Sequence, residues 1–363
     1  MAVSPLALVH EGGTTRIWLG ATALTDAASE VALWLAGRRV FVISSAAVRE
    51  LHREALEGLM GTAAEVVELN VADGENAKTM STVERLAREM VVAGGKRDSR
   101  VITLGGGTVS DVGGFAAGCF LRGIEYGQVP TTLLAQVDAS IGGKTGVNLP
   151  EAKNSVGLFH QPRWVVSDAR FLSTLPAREL RQAMFEVVKV GILADPVLFE
   201  LVESSLADLL TAAPETLARA VERAVSVKVA MVAADEREGD RRRLLNLGHT
   251  LGHALETVVG HGRLRHGDAV GHGMLFATTL AEARGLASED ADRIRALLGR
   301  LGMAQLPSLK MAPILEAIRR DKKARESGLA WVLPLAIGRA EIADISELTV
   351  EKHLASFLKD CLE

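Results

Sequence analysis

Two registers of apolar and polar positions divide the chain. In its first half, β-rich runs at Arg39–Ser44, Glu65–Asn70 and 100–104 alternate with stretches of helical apolar spacing at 46–60 and 82–92. The second of those helices runs into Ala93-Gly94-Gly95, a C-terminal cap. The run at 100–104 leads directly into Gly105-Gly106-Gly107, with a helix expected from about Val112. This strand–helix–strand rhythm predicts a mostly parallel sheet covered by helices. From about Ala177 the spacing becomes that of long helices, at 177–193, 214–235, 244–259 and 266–284, and a β-type run returns only at 329–334. Pro214 suits the first turn of its helix. The expectation is an α/β N-terminal domain, residues 1–170, and a mainly α-helical C-terminal domain, residues 171–363.

Composition removes several function classes. The 363 residues carry 41 Lys and Arg against 45 Asp and Glu, a net charge of −4, where a general nucleic-acid binder would be basic. Aromatic residues make up 4% with a single tyrosine, Tyr126, so base-stacking platforms are not expected. No apolar stretch nears the ~20 residues that span a bilayer. Residues 1–20 lack a basic start followed by an apolar core and a small-residue cleavage site, and Pro5 and His10 interrupt them. The two cysteines, Cys119 and Cys361, cannot build a disulfide framework or a Cys-rich zinc site. A cytoplasmic protein acting on a small molecule is expected, with no nucleic-acid or membrane partner.

Three regions concentrate chemistry. A strand entering Gly105-Gly106-Gly107-Thr108-Val109-Ser110-Asp111 and then a helix makes a phosphate cradle. Glycines let the backbone approach a pyrophosphate, and helix-start N–H groups point at the anion. The spacing is not Gly-x-Gly-x-x-Gly, so a packing turn is the competing reading. After the strand ending at Asn70, Asp73 offers a carboxylate for ribose hydroxyls and Lys78 an ammonium for phosphate, although Asp-Gly is also ordinary turn chemistry. From Pro130 to Asn148, the side chains of Thr131, Thr132, Gln136, Asp138, Ser140 and Lys144 are threaded through small residues and glycines. Buried polar groups need partners, so this segment reads as a loop lining a polar pocket rather than a core helix, with a surface Asp–Lys pair as the alternative. The third region holds His249, His253, His261, His266 and His272, five of the nine histidines. His249 and His253 lie i, i+4 on one helix face, a metal-binding spacing, but Thr250 stands where His-Glu-x-x-His needs its base. A third ligand must come from elsewhere. Glu186, a carboxylate in an otherwise apolar helix one turn before Lys189, is the candidate, against a surface i, i+3 ion pair.

These blocks, in this order, resemble the 3-dehydroquinate synthases over nearly the whole chain, from about Asp73 to Ile337. They are the glycine turn to Asp111, Leu121-Arg122-Gly123, 128–148, Lys153-Asn154 and Glu186-Val187-Val188-Lys189. Further on come 235–238 into 246–249, 266–270 and Asp321-Lys322-Lys323. The resemblance implies a Rossmann-like first domain, a helical second one and an active site in the cleft between them. It implies Glu186, His249 and His266 as the three ligands of a divalent metal, zinc or cobalt. It implies NAD held by Asp73, Glu75, Lys78, Gly106, Gly107, Thr108, Asp111, Thr131, Thr132, Lys144, Lys153 and the stretch Phe171, Leu172, Ser173 and Thr174. Substrate contacts would come from Asp138, Lys144, Asn154, Lys189, Lys228, Arg242, Asn246 and His253. Arg122 would reach the phosphate across a homodimer interface, as would one of Lys322 and Lys323. The chain departs from the family where members commonly carry Asp or Asn just after the second strand to contact the adenosine ribose: here Ser45 stands.

The implied reaction belongs to the shikimate pathway. It turns 3-deoxy-D-arabino-heptulosonate 7-phosphate, a sugar acid phosphate, into 3-dehydroquinate and phosphate. Transient oxidation by NAD, phosphate elimination, re-reduction, ring opening and an intramolecular aldol follow one another. Arg242 and Lys228 suit an anionic head group, which separates this reading from inosose- or valiolone-forming cyclases. A metal-dependent polyol dehydrogenase would instead accumulate NADH, and a silent metal- and nucleotide-binding scaffold would turn nothing over.

Overall fold

The computed structural model describes residues 4–260, 262–321 and 329–360. The chain divides into two compact units, Met1–Leu180 with Thr211–Arg237, and Arg181–Leu210 with Glu238–Glu363. In the first unit the strands are Leu6–His10 (β1), Gly13–Gly20 (β2), Arg39–Ser44 (β3), Glu65–Asn70 (β4), Arg100–Gly105 (β5), Tyr126–Pro130 (β6), Lys144–Leu149 (β7), Ala152–Phe159 (β8) and Trp164–Asp168 (β9). Seven of them form one sheet in the order β1-β2-β9-β6-β5-β3-β4, while β7 and β8 pair as a separate hairpin. Within the large sheet only β1 and β2 run antiparallel; the other pairings are parallel.

Strand β3 shows why these residues fold this way. Phe41 and Ile43 enter one apolar layer with Leu86, Val112, Phe115 and Tyr126. Val40 and Val42 enter the other, with Val31, Leu35, Leu59 and Trp164. A central parallel strand buried on both faces needs apolar residues at every position. The chain steps outward from β3 to β4 and returns to β5 on the other side, so the strand order reverses between β3 and β5. Ligands of open α/β sheets bind outside the carboxyl ends of strands at such a reversal.

Several elements differ from the periodicity. The helix expected over 46–60 is two, Ala46–Leu51 and Arg53–Met60, broken at His52, whose ring stands edge-on to Phe171 at 4.7 Å. The helix expected from Val112 begins at Gly107. The segment 130–148 is not a loop: it forms a turn of π-helix, Ala135–Ala139, and then β7. Backbone carbonyls accept from its buried amide and hydroxyl donors, which lets the segment take regular structure. Gln136 Nε2 donates to the carbonyls of Pro130 and Asp168, and the Ser140 hydroxyl donates to that of Ala135. The helix Pro214–Ala234, which a division at residue 170 places with the C-terminal half, packs on β1 and β2 within the first unit.

The second unit is mainly helical. It takes the helix Ala177–Ala194 from Arg181 onward and adds Pro196–Leu210, His249–Val259, His266–Glu282, Ser288–Leu301, Met311–Asp321 and Glu347–Asp360. A hairpin of Leu329–Ala336 (β10) and Arg339–Ile345 (β11) completes it. The helix expected over 244–259 is interrupted by a 3-10 turn, Arg241–Asn246, and by Gly248 in the left-handed region at φ 80°. A Cβ on Gly248 would lie 2.7 Å from the Val270 carbonyl oxygen, so backbone and packing both require glycine there. Conversely, a Cβ on Gly273 would come within 1.8 Å of the Gly248 carbonyl oxygen, and one on Gly267 within 2.3 Å of that of Gln182. These contacts draw together the helices that carry Glu186, His249 and His266. Among the described residues, no helix is long and apolar enough to cross a membrane.

Gly273→Ala is expected to cost about 1–3 kcal/mol, the range for overpacking a filled site. The loss would be read as a lower denaturant midpoint; a midpoint equal to the parent's would contradict this packing.

Candidate active site

In the second unit, Glu186, His249 and His266 bring one donor atom each to within 4.8 Å of one another. Glu186 Oε1 stands 3.5 Å from His249 Nε2 and 3.4 Å from His266 Nε2. Two ligand atoms bound tetrahedrally to one zinc ion at about 2.0–2.1 Å sit about 3.3–3.4 Å apart, so these separations fit a shared ion. Glu186 is 2% exposed, and its Oε1 makes no hydrogen bond. A buried carboxylate oxygen facing two imidazole nitrogens is a donor set of the kind that binds a divalent cation. The other oxygen pairs with Lys189 Nζ, itself buried, so the i, i+3 pair is present but internal rather than on the surface.

Electrostatics follow from this crowding. Burial alone would raise the Glu186 pKa, but Lys189, His249 and His266 reverse it and hold the carboxyl well below its usual range. Burial and then the Lys189 ammonium push His249 far down, which keeps its ring neutral and its Nε2 lone pair available. Burial pulls His266 down as well, yet Glu186 and Glu256 outweigh it and raise the ring to about 10. The second nitrogen of each ring also faces an oxygen. His249 Nδ1 lies 3.2 Å from the Leu247 carbonyl oxygen, and His266 Nδ1 lies 3.6 Å from Glu256 Oε2.

The i, i+4 histidine pair therefore divides. His249 joins Glu186, whereas His253 is exposed and groups with Glu256 and His266. The ring centroids of His253 lie 5.2 Å from His249 and 6.2 Å from His266. His272 faces away to the Ala304 carbonyl oxygen at 2.8 Å, a structural contact. His261, Lys322 and Lys323 lie outside the described residues. Arg242 is buried, and Asn246 donates its amide to Glu238 Oε1 at 3.0 Å. Glu256 escaped the sequence reading. Its signal was position: it follows His249 by seven residues and so shares a helix face with His249 and His253.

In the first unit, most of the residues implied for NAD follow the carboxyl end of a parallel strand. Asp73, Glu75 and Lys78 follow β4; Gly106, Gly107, Thr108 and Asp111 follow β5; Thr131 and Thr132 follow β6; Phe171, Leu172, Ser173 and Thr174 follow β9. Lys144 and Lys153 are exposed on the β7–β8 hairpin. The helix from Gly107 has no capping side chain, so its first N–H groups suit a pyrophosphate. Lys78 Nζ pairs with Asp111 at 2.5 Å. Asn148 ties the region together, donating to Glu75 Oε1 and accepting from the Asn154 N–H, both at 2.8 Å. Lys228 Nζ bonds both the side chain and the carbonyl of Asp138. The side chains of Phe171 and Leu172 are buried, so only their backbone is left for a ligand. Ser45 accepts a hydrogen bond from the Val48 N–H at 3.3 Å, capping the helix behind it. Arg122 and Asn154 are exposed, and both adopt positive φ.

Burial raises the Asp111 pKa from 3.8 to about 6, although Lys78 opposes the shift. A group whose pKa is higher folded than unfolded stabilises the fold at low pH. Its contribution, up to about 3 kcal/mol, is full below about pH 4 and is lost as pH rises through about 6. Carboxyl carbon NMR is expected to show Asp111 titrating near pH 6; a midpoint of about 4 would contradict its burial.

The family model described as 3-dehydroquinate synthase N-terminal matches residues 68–182, and the one described as 3-dehydroquinate synthase C-terminal matches residues 183–324. The 3-dehydroquinate synthase of Geobacter metallireducens is 44% identical over 316 residues, covering 86% of this chain and 88% of that protein. A solved structure of 2-deoxy-scyllo-inosose synthase complexed with carbaglucose-6-phosphate, NAD+ and Co2+ matches with a TM-score of 0.86 at 26% identity, covering 97% of this chain and 99% of that one. The 2-epi-5-epi-valiolone synthase of Streptomyces hygroscopicus subsp. jinggangensis 5008, with NAD+ and Zn2+ bound, matches with a TM-score of 0.85 at 31% identity, covering 99% of this chain and all (100%) of that one. Both halves of the chain, its donor set and its relatives agree: it belongs to the 3-dehydroquinate synthase family.

Proposed function

We propose that this chain converts 3-deoxy-D-arabino-heptulosonate 7-phosphate to 3-dehydroquinate and inorganic phosphate. The observation that carries the reading is the meeting of buried Glu186 with His249 and His266 in a chain whose curated relatives are 3-dehydroquinate synthases. When bound, NAD supplies reversible hydride acceptance at C5, and a divalent ion, zinc or cobalt, supplies Lewis acidity. Glu186, His249 and His266 would hold that ion. Gly106, Gly107, Thr108, Asp111 and Lys78, with the other residues beyond the strand ends, would hold the dinucleotide.

The chemistry needs few further groups. Oxidation of the C5 hydroxyl makes the C6 proton acidic; its loss expels phosphate from C7 as the C7–O bond breaks. The C5 ketone is then reduced again, the ring C2–O bond opens to a C2 ketone, and C7 attacks C2. Lys189 and Asp138 would hold the C4 and C5 hydroxyls. Arg242 would pair with the carboxylate, since a guanidinium meets it bidentately. Lys144, Asn154, Lys228, Asn246 and Arg122 would complete the anion contacts. His253, with an exposed ring, would pass protons.

A homodimer is part of the proposal, with Arg122 reaching its partner's substrate. Supporting it, Leu121, Leu158 and Phe159 expose apolar side chains in this part of the first unit. A cytoplasmic location fits the exposed free thiol of Cys119.

The test incubates the protein with the heptulosonate phosphate, NAD+ and Zn2+, beside a parallel reaction on sedoheptulose 7-phosphate. Phosphate and dehydroquinate are expected only from the acid, with no net NADH. Turnover of the neutral sugar alone would instead place the chain with the other cyclases. EDTA is expected to abolish phosphate release and Zn2+ or Co2+ to restore it; EDTA-insensitive turnover would defeat the metal centre. Arg242→Ala is expected to lower kcat/KM by at least about 30-fold, the low end for truncating a buried charge pair. Near-parent kinetics would remove Arg242 from the carboxylate role.

A further inference from the structure

The outer edge of the metal-ligand cluster carries an unassigned acid. Glu256 lies in the last turn of the helix His249–Val259 and is 5% exposed. A carboxylate is costly to bury unless something pairs with it. Its Oε2 is 3.6 Å from His266 Nδ1, while Nε2 of the same ring faces Glu186 at 3.4 Å. The two nitrogens lie on opposite edges of the imidazole, so the ring is flanked by a carboxylate on each side. Only a neutral ring can ligate through Nε2, and its proton then sits on Nδ1, facing Glu256.

We propose that Glu256 is a positioning residue for the metal centre: it accepts the Nδ1–H of His266, fixing the tautomer and the ring plane that aim Nε2 at the ion. This rests on the metal-centre reading above. A carboxylate behind a ligating imidazole also makes that ligand more basic. His249 has an uncharged counterpart, the Leu247 carbonyl at 3.2 Å. One helix thus contributes a ligand of its own, His249, and, two turns later, the acceptor that orients the ligand of a second helix. Because the side chains at 249 and 256 project from the same face, the helix holds both imidazoles in register.

The experiment measures Zn2+ affinity by competition with a chromophoric chelator, and the d–d absorption of the Co2+-loaded protein. It compares the parent with Glu256→Gln and Glu256→Ala, each also melted metal-free. The alanine variant is expected to bind metal 10- to 100-fold more weakly, with altered Co2+ bands. The glutamine variant keeps a neutral acceptor of the same shape and is expected to lose less. Metal-free melting should match the parent in at least the glutamine variant. Affinities and Co2+ bands within twofold of the parent in both variants would overturn the proposal while leaving the centre intact. So would a loss of affinity matched by an equal loss of metal-free stability, since that is a purely structural role. A parent protein that takes up neither ion would remove the centre itself and the proposal with it.

Discussion

The second unit depends on how closely three helices approach. Glycines at 248, 267 and 273 leave room for backbone where a single methyl group would collide with a carbonyl oxygen. That approach is what brings a glutamate at 186 against imidazoles at 249 and 266, far apart along the chain. Donor atoms about 3.4 Å apart cannot be held by long side chains reaching across a loose interface. They need short levers on rigid elements, and a helix that cannot slide is the most rigid lever available. The glycines therefore serve the ligand geometry as much as the packing, although none of them contributes a donor atom.

The same crowding explains the charges. A carboxylate buried as deeply as Glu186 would ordinarily be neutral, because desolvation disfavours its charged form. Here Lys189 sits one turn away on the same helix and two imidazoles stand opposite, and together they keep it ionised. The ammonium that stabilises the carboxylate also discourages protonation of His249. An anionic oxygen and a neutral nitrogen are the protonation states a divalent cation needs, and the protein's own neighbours bring them about. His266 is the exception: held high by two acids, it must give up a proton before it can ligate.

Much of this was legible in the residues. The strands Arg39–Ser44 and Glu65–Asn70 have the bounds their apolar runs predict: the first is buried along its length, and the second is an edge strand in which Leu69 alone is fully buried. Glu186 stood out as an acid without polar neighbours. What escaped was decided by contacts between distant segments. The break at His52 involves Phe171, over a hundred positions later, and no local propensity marks it. The break before His249 follows from a left-handed Gly248 pressed on Val270. Gln136 and Ser140 looked too polar for regular structure, yet backbone carbonyls accept from the Gln136 amide and the Ser140 hydroxyl within a π-helical turn. Glu256 was passed over because its partner, His266, belongs to the next helix, so no spacing within its own helix showed what it faces.

Among the described residues, five that are not glycine adopt positive φ: Leu121, Arg122, Asn154, Ala212 and Glu238. Arg122 and Asn154 adopt φ of 69° and 52°, a region that residues with a Cβ enter only at a cost. Such conformations persist where the surroundings over-determine them, and they gather at ligand-handling sites. For Asn154 the constraint is visible: its N–H donates to Asn148, whose amide donates to Glu75, and the Asn148 N–H donates to the Lys78 carbonyl. Hairpin and strand-end loop are thus cross-braced within the first unit. Asn154 sits beside Lys153, and its strained turn is anchored to the loop that bears Glu75 and Lys78. That chain of hydrogen bonds holds the left-handed backbone at Asn154 in place. An exposed residue needs that kind of support to hold a left-handed backbone, because no core surrounds it to supply any other.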